Sequence, residues 1–335
     1  MRLAFLRDVS LSLRMMTCAA LVVAAGLLGA AAACGTTDSA ATRMEAGAEA
    51  DVVRDSGAPR EVSSDAGLCD VYAPFDLPEV VSGLGPPGDR ISAFLSDDEL
   101  RVISGIIVDD GDGGENYDLF EAKRPAVTGS FSALRALSDL NTPEAEHSAT
   151  LSRDFKTIYF YSTRDSHGGP GHIYRSTRPD ENGSFAPPTI VGTLDIRTFP
   201  ASPFLAHHAP ELWLTEGDSN ASFKIYRASL GADGTPGTPT AAPEFDSRHD
   251  DRPVLSFDGL TMYWSSNAQP LRSGDIWVAT RASPTDAFGA MKAVDELSSS
   301  NQDYPLWLSA DQCRLYFSSY GNTPAQQIYV ARRRP

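Results

Sequence analysis

Three sets of landmarks recur along this chain at spacings of about 50 to 56 residues, and that period constrains the fold more than any other feature. The first is a Leu that opens a turn: Leu95-Ser96, Leu151-Ser152, Leu205-Ala206, Leu255-Ser256 and Leu308-Ser309. The second is a short apolar stretch with an aromatic residue: Leu119-Phe120, Ile173-Tyr174, Ile225-Tyr226, Ile276-Trp277 and Ile328-Tyr329. The third is a Phe, an apolar residue six places on and a Leu nine places on: Phe75/Val81/Leu84, Phe131/Leu137/Leu140, Phe185/Val191/Leu194 and Phe288/Val294/Leu297. One copy of this last set is degraded to Phe245 alone.

Each unit reads as four strands. The first is a short run such as Arg252-Pro253-Val254-Leu255, followed by the turn Ser256-Phe257-Asp258-Gly259. The second is β-branched and aromatic, as in Thr261-Met262-Tyr263-Trp264 and Thr157-Ile158-Tyr159-Phe160. A polar loop leads to a third strand such as Asp275-Ile276-Trp277-Val278, and a second loop to an outer strand that carries the Phe. Four-stranded units at this period fit a β-propeller and not a helical solenoid. The chain ends are out of phase: it meets an outer strand first, Phe75 to Leu84, and stops after a third strand at Tyr329-Val330. The two remnants complete one sheet. The expected fold is therefore all-β: a five-bladed propeller over residues 69–335, closed by the N-terminal outer strand joining the three C-terminal strands.

Before the ring, Arg2, Arg7 and Arg14 precede the apolar run from Met15 to Ala33, which reads as a signal peptide over residues 1–33. An uncleaved membrane anchor is the alternative for a run of this length. Ala31-Ala32-Ala33-Cys34-Gly35 resembles a bacterial lipobox, although Ala31 stands where Leu is usual; it implies lipidation at Cys34, against a soluble secreted form. Residues 34–68 are rich in Ala, Ser, Thr, Gly, Asp and Glu and lack aromatic residues, so they read as a disordered tether. The expected location is outside the cytoplasm, anchored in the bacterial cell envelope, on its periplasmic side or at the cell surface. With Cys18 in the signal peptide and Cys34 lipidated, Cys69 and Cys313 remain for an oxidising compartment. Both map to the composite blade, and a disulfide between them would lock the ring closure.

The segment Leu255-Ser256-Phe257-Asp258-Gly259-Leu260-Thr261-Met262-Tyr263-Trp264 is similar to the TolB-type, WD-like propeller repeat. Leu151 to Phe160 and Leu308 to Phe317 match it without the Gly, and the copy at Leu205 replaces Ser-x-Asp with Ala206-His207-His208. The resemblance spans about residues 75–330 and implies a scaffold, receptor or accessory propeller.

The net charge of −16 argues against a nucleic-acid partner. Loops before the first strands and between the second and third strands should share one face. The residues collected there as a ligand or partner surface are Asp89, Glu146, His147, Asp165, His249, Asp251 and Asp303. The acidic stretch Asp109 to Glu115 superficially resembles a Ca²⁺ loop through Asp110, Asp112 and Glu115, but lacks the twelve-residue spacing. His207, His208 and His249 do not make a transition-metal set, and no nucleophile elbow or phosphate loop occurs. The expectation is a monomeric, non-catalytic envelope lipoprotein without cofactors, whose propeller binds an envelope protein or small ligand. The alternative is a carbohydrate-active propeller, glycosidase or lectin, using carboxylates such as Asp89, Glu146, Asp251 and Asp303 at the channel mouth.

Overall fold

A computed structural model describes residues 69–334 apart from 85–89, 110–114, 133, 168, 197–198, 219–221, 246–248, 268–273 and 322–324. The signal peptide, Cys34 and the tether lie outside the described residues. The strands form five four-stranded antiparallel sheets. The first blade is β2 (Arg90–Leu95), β3 (Arg101–Asp109), β4 (Glu115–Lys123) and β5 (Arg135–Ala136). The second is β6 (Glu146–Leu151), β7 (Thr157–Ser162), β8 (His172–Thr177) and β9 (Thr189–Ile190). The third is β10 (Phe199–Leu205), β11 (Glu211–Gly217), β12 (Phe223–Ser229) and β13 (Thr240–Ala241). The fourth is β14 (Asp250–Leu255), β15 (Thr261–Ser266), β16 (Asp275–Thr280) and β17 (Lys292–Ala293). The fifth joins β18 (Asp303–Leu308), β19 (Arg314–Ser319) and β20 (Gln327–Arg332) to β1 (Glu79–Val80) from the other end of the folded chain. The ring is thus closed as the repeat phase requires, with Glu79 opposite Val330 and Val80 opposite Tyr329. Cys69 and Cys313 form a disulfide across that closure, with Cα atoms 5.8 Å apart. No helix among the described residues is long and apolar enough to cross a membrane.

The outer strand differs from the sequence reading. It is only two residues long in every blade, and the recurring Phe lies upstream of it. Phe75, Phe131, Phe185 and Phe288 are buried, as are the Val or Leu and the Leu that follow. The Phe and Leu act as apolar pegs on either side of a brief edge pairing, which leaves little exposed strand edge. In the degraded copy Ala242 and Phe245 fill the last two peg positions, 5 % and 1 % exposed.

A second repeated device holds the pegs. Arg124, Arg178 and Arg281 stand seven residues before Phe131, Phe185 and Phe288, and each guanidinium lies 4.4–4.5 Å from that ring's centre. Arg333 stacks on Phe75 at 4.2 Å across the closure. Each Nε donates to the carbonyl of a turn residue with positive φ: Glu99, Phe155, Gly259 and Gln312. Arg124 then reaches the Tyr316 hydroxyl of the neighbouring blade at 2.8 Å, and Arg333 reaches Tyr263 at 2.5 Å. One side chain therefore fixes a turn, an outer peg and the next blade together. The third blade has Leu230 at this position.

The inner strands β2, β6, β10, β14 and β18 line the central channel, each with a register shift near its start. Trp307 of β18 plugs the lower part. Its ring lies 4.6 Å from Phe94, 6.3 Å from Phe204, 5.3 Å from His207 and 5.6 Å from Phe257, groups from three other blades. Above the plug a cavity of about 40 Å³ remains, lined by residues of all five inner strands.

Candidate functional site

The bulges in β6, β10 and β14 place Ser148, Ser202 and Arg252 in the left-handed region, with φ of 53°, 47° and 56°. Extra residues of this kind re-aim side chains and recur beside binding sites. The corresponding positions of the other two strands are Ser92 and Pro305, and all five residues line the channel cavity. Four of the blades thus contribute a small residue here and the fourth blade contributes a guanidinium.

Arg252 lies over the Tyr304 ring at 3.9 Å, and its Nε is 3.6 Å from the Asp251 carboxylate. Asp251 Oδ1 accepts from Ser202 Oγ and Thr215 Oγ1, both at 2.9 Å, and from the Arg252 amide at 2.7 Å. On the second blade the His147 ring stacks on Tyr161 at 4.7 Å and meets Tyr117 edge-on at 5.4 Å. Burial and the neighbouring Arg252 charge push His147 down to about 3, against the pull of Asp251, so the ring is neutral at physiological pH. Burial raises the Tyr304 hydroxyl above its ordinary value, opposed by Arg252. The described part of the mouth is therefore an aromatic surface around Arg252, with Asp251 beside it.

Two of the other carboxylates expected to face a ligand, Glu146 and Asp303, serve the loops. Glu146 accepts from the Thr142 amide and hydroxyl at 2.7 and 2.9 Å and from Ser162 Oγ at 2.5 Å. Asp303 repeats the pattern with the Ser299 amide and hydroxyl at 2.6 and 3.1 Å, plus Ser319. Both are fully buried, and burial raises the Asp303 carboxyl despite these bonds. Each clips the loop from the preceding blade onto the start of an inner strand. Asp250 accepts from Trp264 Nε1 at 3.0 Å, a third variation on the same position.

Asp165, exposed, accepts from the Tyr174 hydroxyl at 2.6 Å. His249 meets Phe223 edge-on at 5.2 Å. Asp89, Asp110 and Asp112 lie outside the described residues, and of Glu115 only the backbone, in β4, is described. Among the described residues no cluster of His, Cys, Asp and Glu is placed to hold a metal ion. The His207 side chain is buried on the other side of the ring, stacked on Phe257 at 4.2 Å, and burial lowers its pKa. Of the residues singled out from sequence, His147 and Asp251 come together at the mouth; Arg252, Tyr304, Tyr117 and Tyr161 are additions. The signal for Arg252 lay in the aligned repeats, where one long cation replaces Ser or Pro.

No family profile matches the chain, and no curated protein matches it. Solved structures do. TolB from Acinetobacter baumannii is 14 % identical with a TM-score of 0.41; the match covers 74 % of this chain and 56 % of that one. The GH43_1 enzyme from Xanthomonas citri, complexed with xylose, is 15 % identical with a TM-score of 0.48, covering 76 % and 90 %. An α-L-arabinofuranosidase from Podospora anserina, in complex with cellotriose, is 11 % identical with a TM-score of 0.45, covering 80 % and 99 %. The chain thus spans little more than half the length of that TolB. The expectation of a non-enzyme does not stand: several of the similar solved structures are named as glycoside hydrolases. The fold, a five-bladed β-propeller, rests on the chain's own strand pairing.

Proposed function

We propose that this chain is a carbohydrate-active propeller that holds a saccharide across the channel mouth. One observation carries the reading. Arg252, Asp251 and Tyr304 gather beside the aromatic array of Tyr117, His147 and Tyr161 on a ring whose inner-strand acids Glu146 and Asp303 are tied into loops. Flat aromatic faces suit the C–H faces of a sugar ring, and a charged planar pair suits its hydroxyl edges. The cavity below is too small for a sugar ring, so the ligand lies across the mouth and not along the channel. The test is a polysaccharide and oligosaccharide array followed by calorimetry on the best ligand. Tyr161→Ala and Tyr304→Ala should each weaken binding about tenfold, or about 1.4 kcal/mol. Reducing ends released from the bound glycan report turnover. Failure of every saccharide to bind refutes the reading.

We also propose that the protein works in the bacterial envelope, tethered through a lipid on Cys34. The Cys69–Cys313 disulfide supports an oxidising compartment. Cys34→Ser should abolish labelling by a fatty-acid analogue and shift the protein from the detergent to the aqueous phase. Unchanged partitioning would count against the anchor.

A further inference from the structure

We propose that the groove between the fourth and fifth blades is a second saccharide site, which seats a neutral segment of the glycan on Tyr72. The inference rests on the carbohydrate reading above and adds a point of attachment at the opposite end of the strands from the mouth.

The groove holds about 600 Å³, against about 40 Å³ in the channel, and falls within the size range of small-molecule pockets. Its origin lies in the repeats. In four blades a turn closes two residues before the Phe peg: the amides of Gly129, Gly183, Asp286 and Ala73 donate to Ala126, Asp180, Ser283 and Asp70 at 2.8–3.1 Å. The preceding blade grips such a turn through long side chains. Arg101 donates to the Glu181 carbonyl and to Asn182 Oδ1, and Lys123 donates to the same Oδ1 at 2.9 Å. On the second blade Arg175 donates to the Asp233 carbonyl at 2.9 Å. Strand register makes Thr261 and Thr280 of the fourth blade the counterparts of Arg101 and Lys123, and Val278 the counterpart of Arg175. None of the three is long enough to bridge. The turn Asp70–Ala73 therefore stands off from the fourth blade, and the groove opens between them.

That gap leaves polar groups on its walls. The hydroxyls of Thr261 and Thr280 and the Lys292 ammonium line the groove and have no partner among the described residues. Lys292 lies opposite Val278 in register, on the same face of the sheet. Glu296 accepts from the Phe75 amide at 3.2 Å with one oxygen and keeps the other open. Across from the fourth blade stands Tyr72, 89 % exposed, where the second blade has the gripped Asn182. Its backbone is held by the Asp70 carboxylate at 2.9 Å and by the disulfide at the neighbouring Cys69.

Charge then narrows the ligand. Lys292 balances Glu296, and Asp258 is held by Ser256, Leu260 and Gln312. Arg281 and Arg333 are committed to the turn carbonyls beneath their Phe rings. An open aromatic face opposite neutral hydroxyls suits an uncharged sugar: its C–H face rests on Tyr72, and its hydroxyls both donate and accept along the far wall. Thr261 is about 17 Å from the mouth end of β15 by the rise of a strand. A polymer long enough to reach both sites gains avidity that a short fragment lacks.

The experiment is calorimetry on the full chain with soluble xylan, arabinan and mixed-linkage β-glucan, each also as its trisaccharide. For the glycan that responds, two trisaccharides should bind per chain, and the polymer should bind at least tenfold tighter than the trisaccharide. Tyr72→Ala should reduce the stoichiometry to one and remove the polymer's advantage; Lys292→Ala, on the opposite wall, should weaken the same site severalfold. Tyr72 is exposed, so an unchanged melting curve accompanies the loss. Stoichiometry and polymer affinity untouched by Tyr72→Ala, while Tyr161→Ala weakens binding, overturn the inference and leave the mouth reading standing. Binding lost with Tyr72→Ala but indifferent to Tyr161→Ala and Tyr304→Ala keeps the groove and overturns the mouth. Silence of every glycan overturns both.

Discussion

Glu99 offers the sharpest test of how the ring is held shut. It sits in the turn between β2 and β3, with φ of 59°, and is 3 % exposed. Its carboxylate receives Arg314 at 2.7 and 3.0 Å and the Tyr316 hydroxyl at 2.5 Å, and Arg124 Nη2 stands 4.0 Å away. Glu99 belongs to the first blade, Arg314 and Tyr316 to the last, so the cluster spans the seam between the chain's two ends. Burial works against the Arg314 charge, and the bonds and charge of Glu99 outweigh it, raising its pKa above the ordinary value. Glu99→Gln keeps the shape, leaves the buried Arg124 guanidinium without this counter-charge and leaves Arg314 with only the half-exposed Asp311 at 3.0 Å; the two arginine side chains are 4 % and 16 % exposed. Removing one partner of a buried ion pair costs about 3–5 kcal/mol. Urea unfolding of the oxidised protein should show this as a lower midpoint at unchanged slope. The double variant Glu99→Gln/Arg314→Met should recover part of the loss, since the uncompensated charge is gone. A loss below about 1 kcal/mol in the single variant, or simple additivity in the double, would refute the claim that charge pairing closes the seam.

Three further outcomes follow from the same structure. Replacing both Cys69 and Cys313 by Ser removes a link across 244 residues and should lower stability by about 5 kcal/mol, an effect that reductant reproduces in the unmodified protein and that equal melting curves would disprove. Arg281→Lys retains charge but loses the 4.4 Å stack on Phe288 and the 2.7 Å bond to the Gly259 carbonyl; about 2 kcal/mol should be lost in denaturant unfolding, and a neutral result would show the clamp to be incidental. His147 is depressed to about 3 when folded, against about 6.5 unfolded, so the unfolded chain binds the proton first as pH falls. Its contribution is intact above about pH 6.5 and should fall by about 2 kcal/mol between pH 7 and 5, an increment that His147→Asn should remove from the pH profile of stability.

The ring was legible because its repeats are redundant. Phe131, Phe185 and Phe288 occupy one structural position three times, so a single degraded copy at Ala242 and Phe245 does not obscure the phase. The composite blade was legible for the same reason, since a Phe75-to-Leu84 remnant has only one place in a closed cycle. The length of the outer strand was not, because a buried Phe signals a peg and a strand equally well. Nor did the turn glycine carry the meaning that the repeat pattern gives it. Glu99, Phe155 and Gln312 hold the same positive φ without being glycine. Gly259 is required by its neighbour: a Cβ there would come within 2.4 Å of the His208 ring, a contact made by the preceding blade and invisible in the local sequence. The carboxylates misled in the opposite way. Glu146 and Asp303 looked like ligands for something external because an acid recurs at the head of an inner strand, whereas that recurrence reflects an internal loop amide waiting four residues upstream.

That contrast gives a rule for where binding can reside in this ring. A role that every blade shares is met by every blade's own loops, as with the clipped acids, the Arg–Phe clamps and the pegs. A ligand seated on the central axis meets five non-identical walls, so its specificity must come from positions where the repeats disagree. The residue three places before the last Leu of the inner strand is such a position: Ser92, Ser148, Ser202, Arg252 and Pro305 occupy equivalent places around one cavity. Three share a backbone conformation, and one of those three carries the charge. The scaffold therefore prepares the same outlet in several blades and charges a single one, which orients any bound group toward the fourth blade. Moving that charge is the corresponding test. The exchange Arg252→Ser with Ser148→Arg keeps the composition and the left-handed sites, and should restore saccharide binding with the ligand turned toward the second blade. Loss of binding without recovery would mean that Tyr304, the ring beneath Arg252, is as necessary as the charge itself.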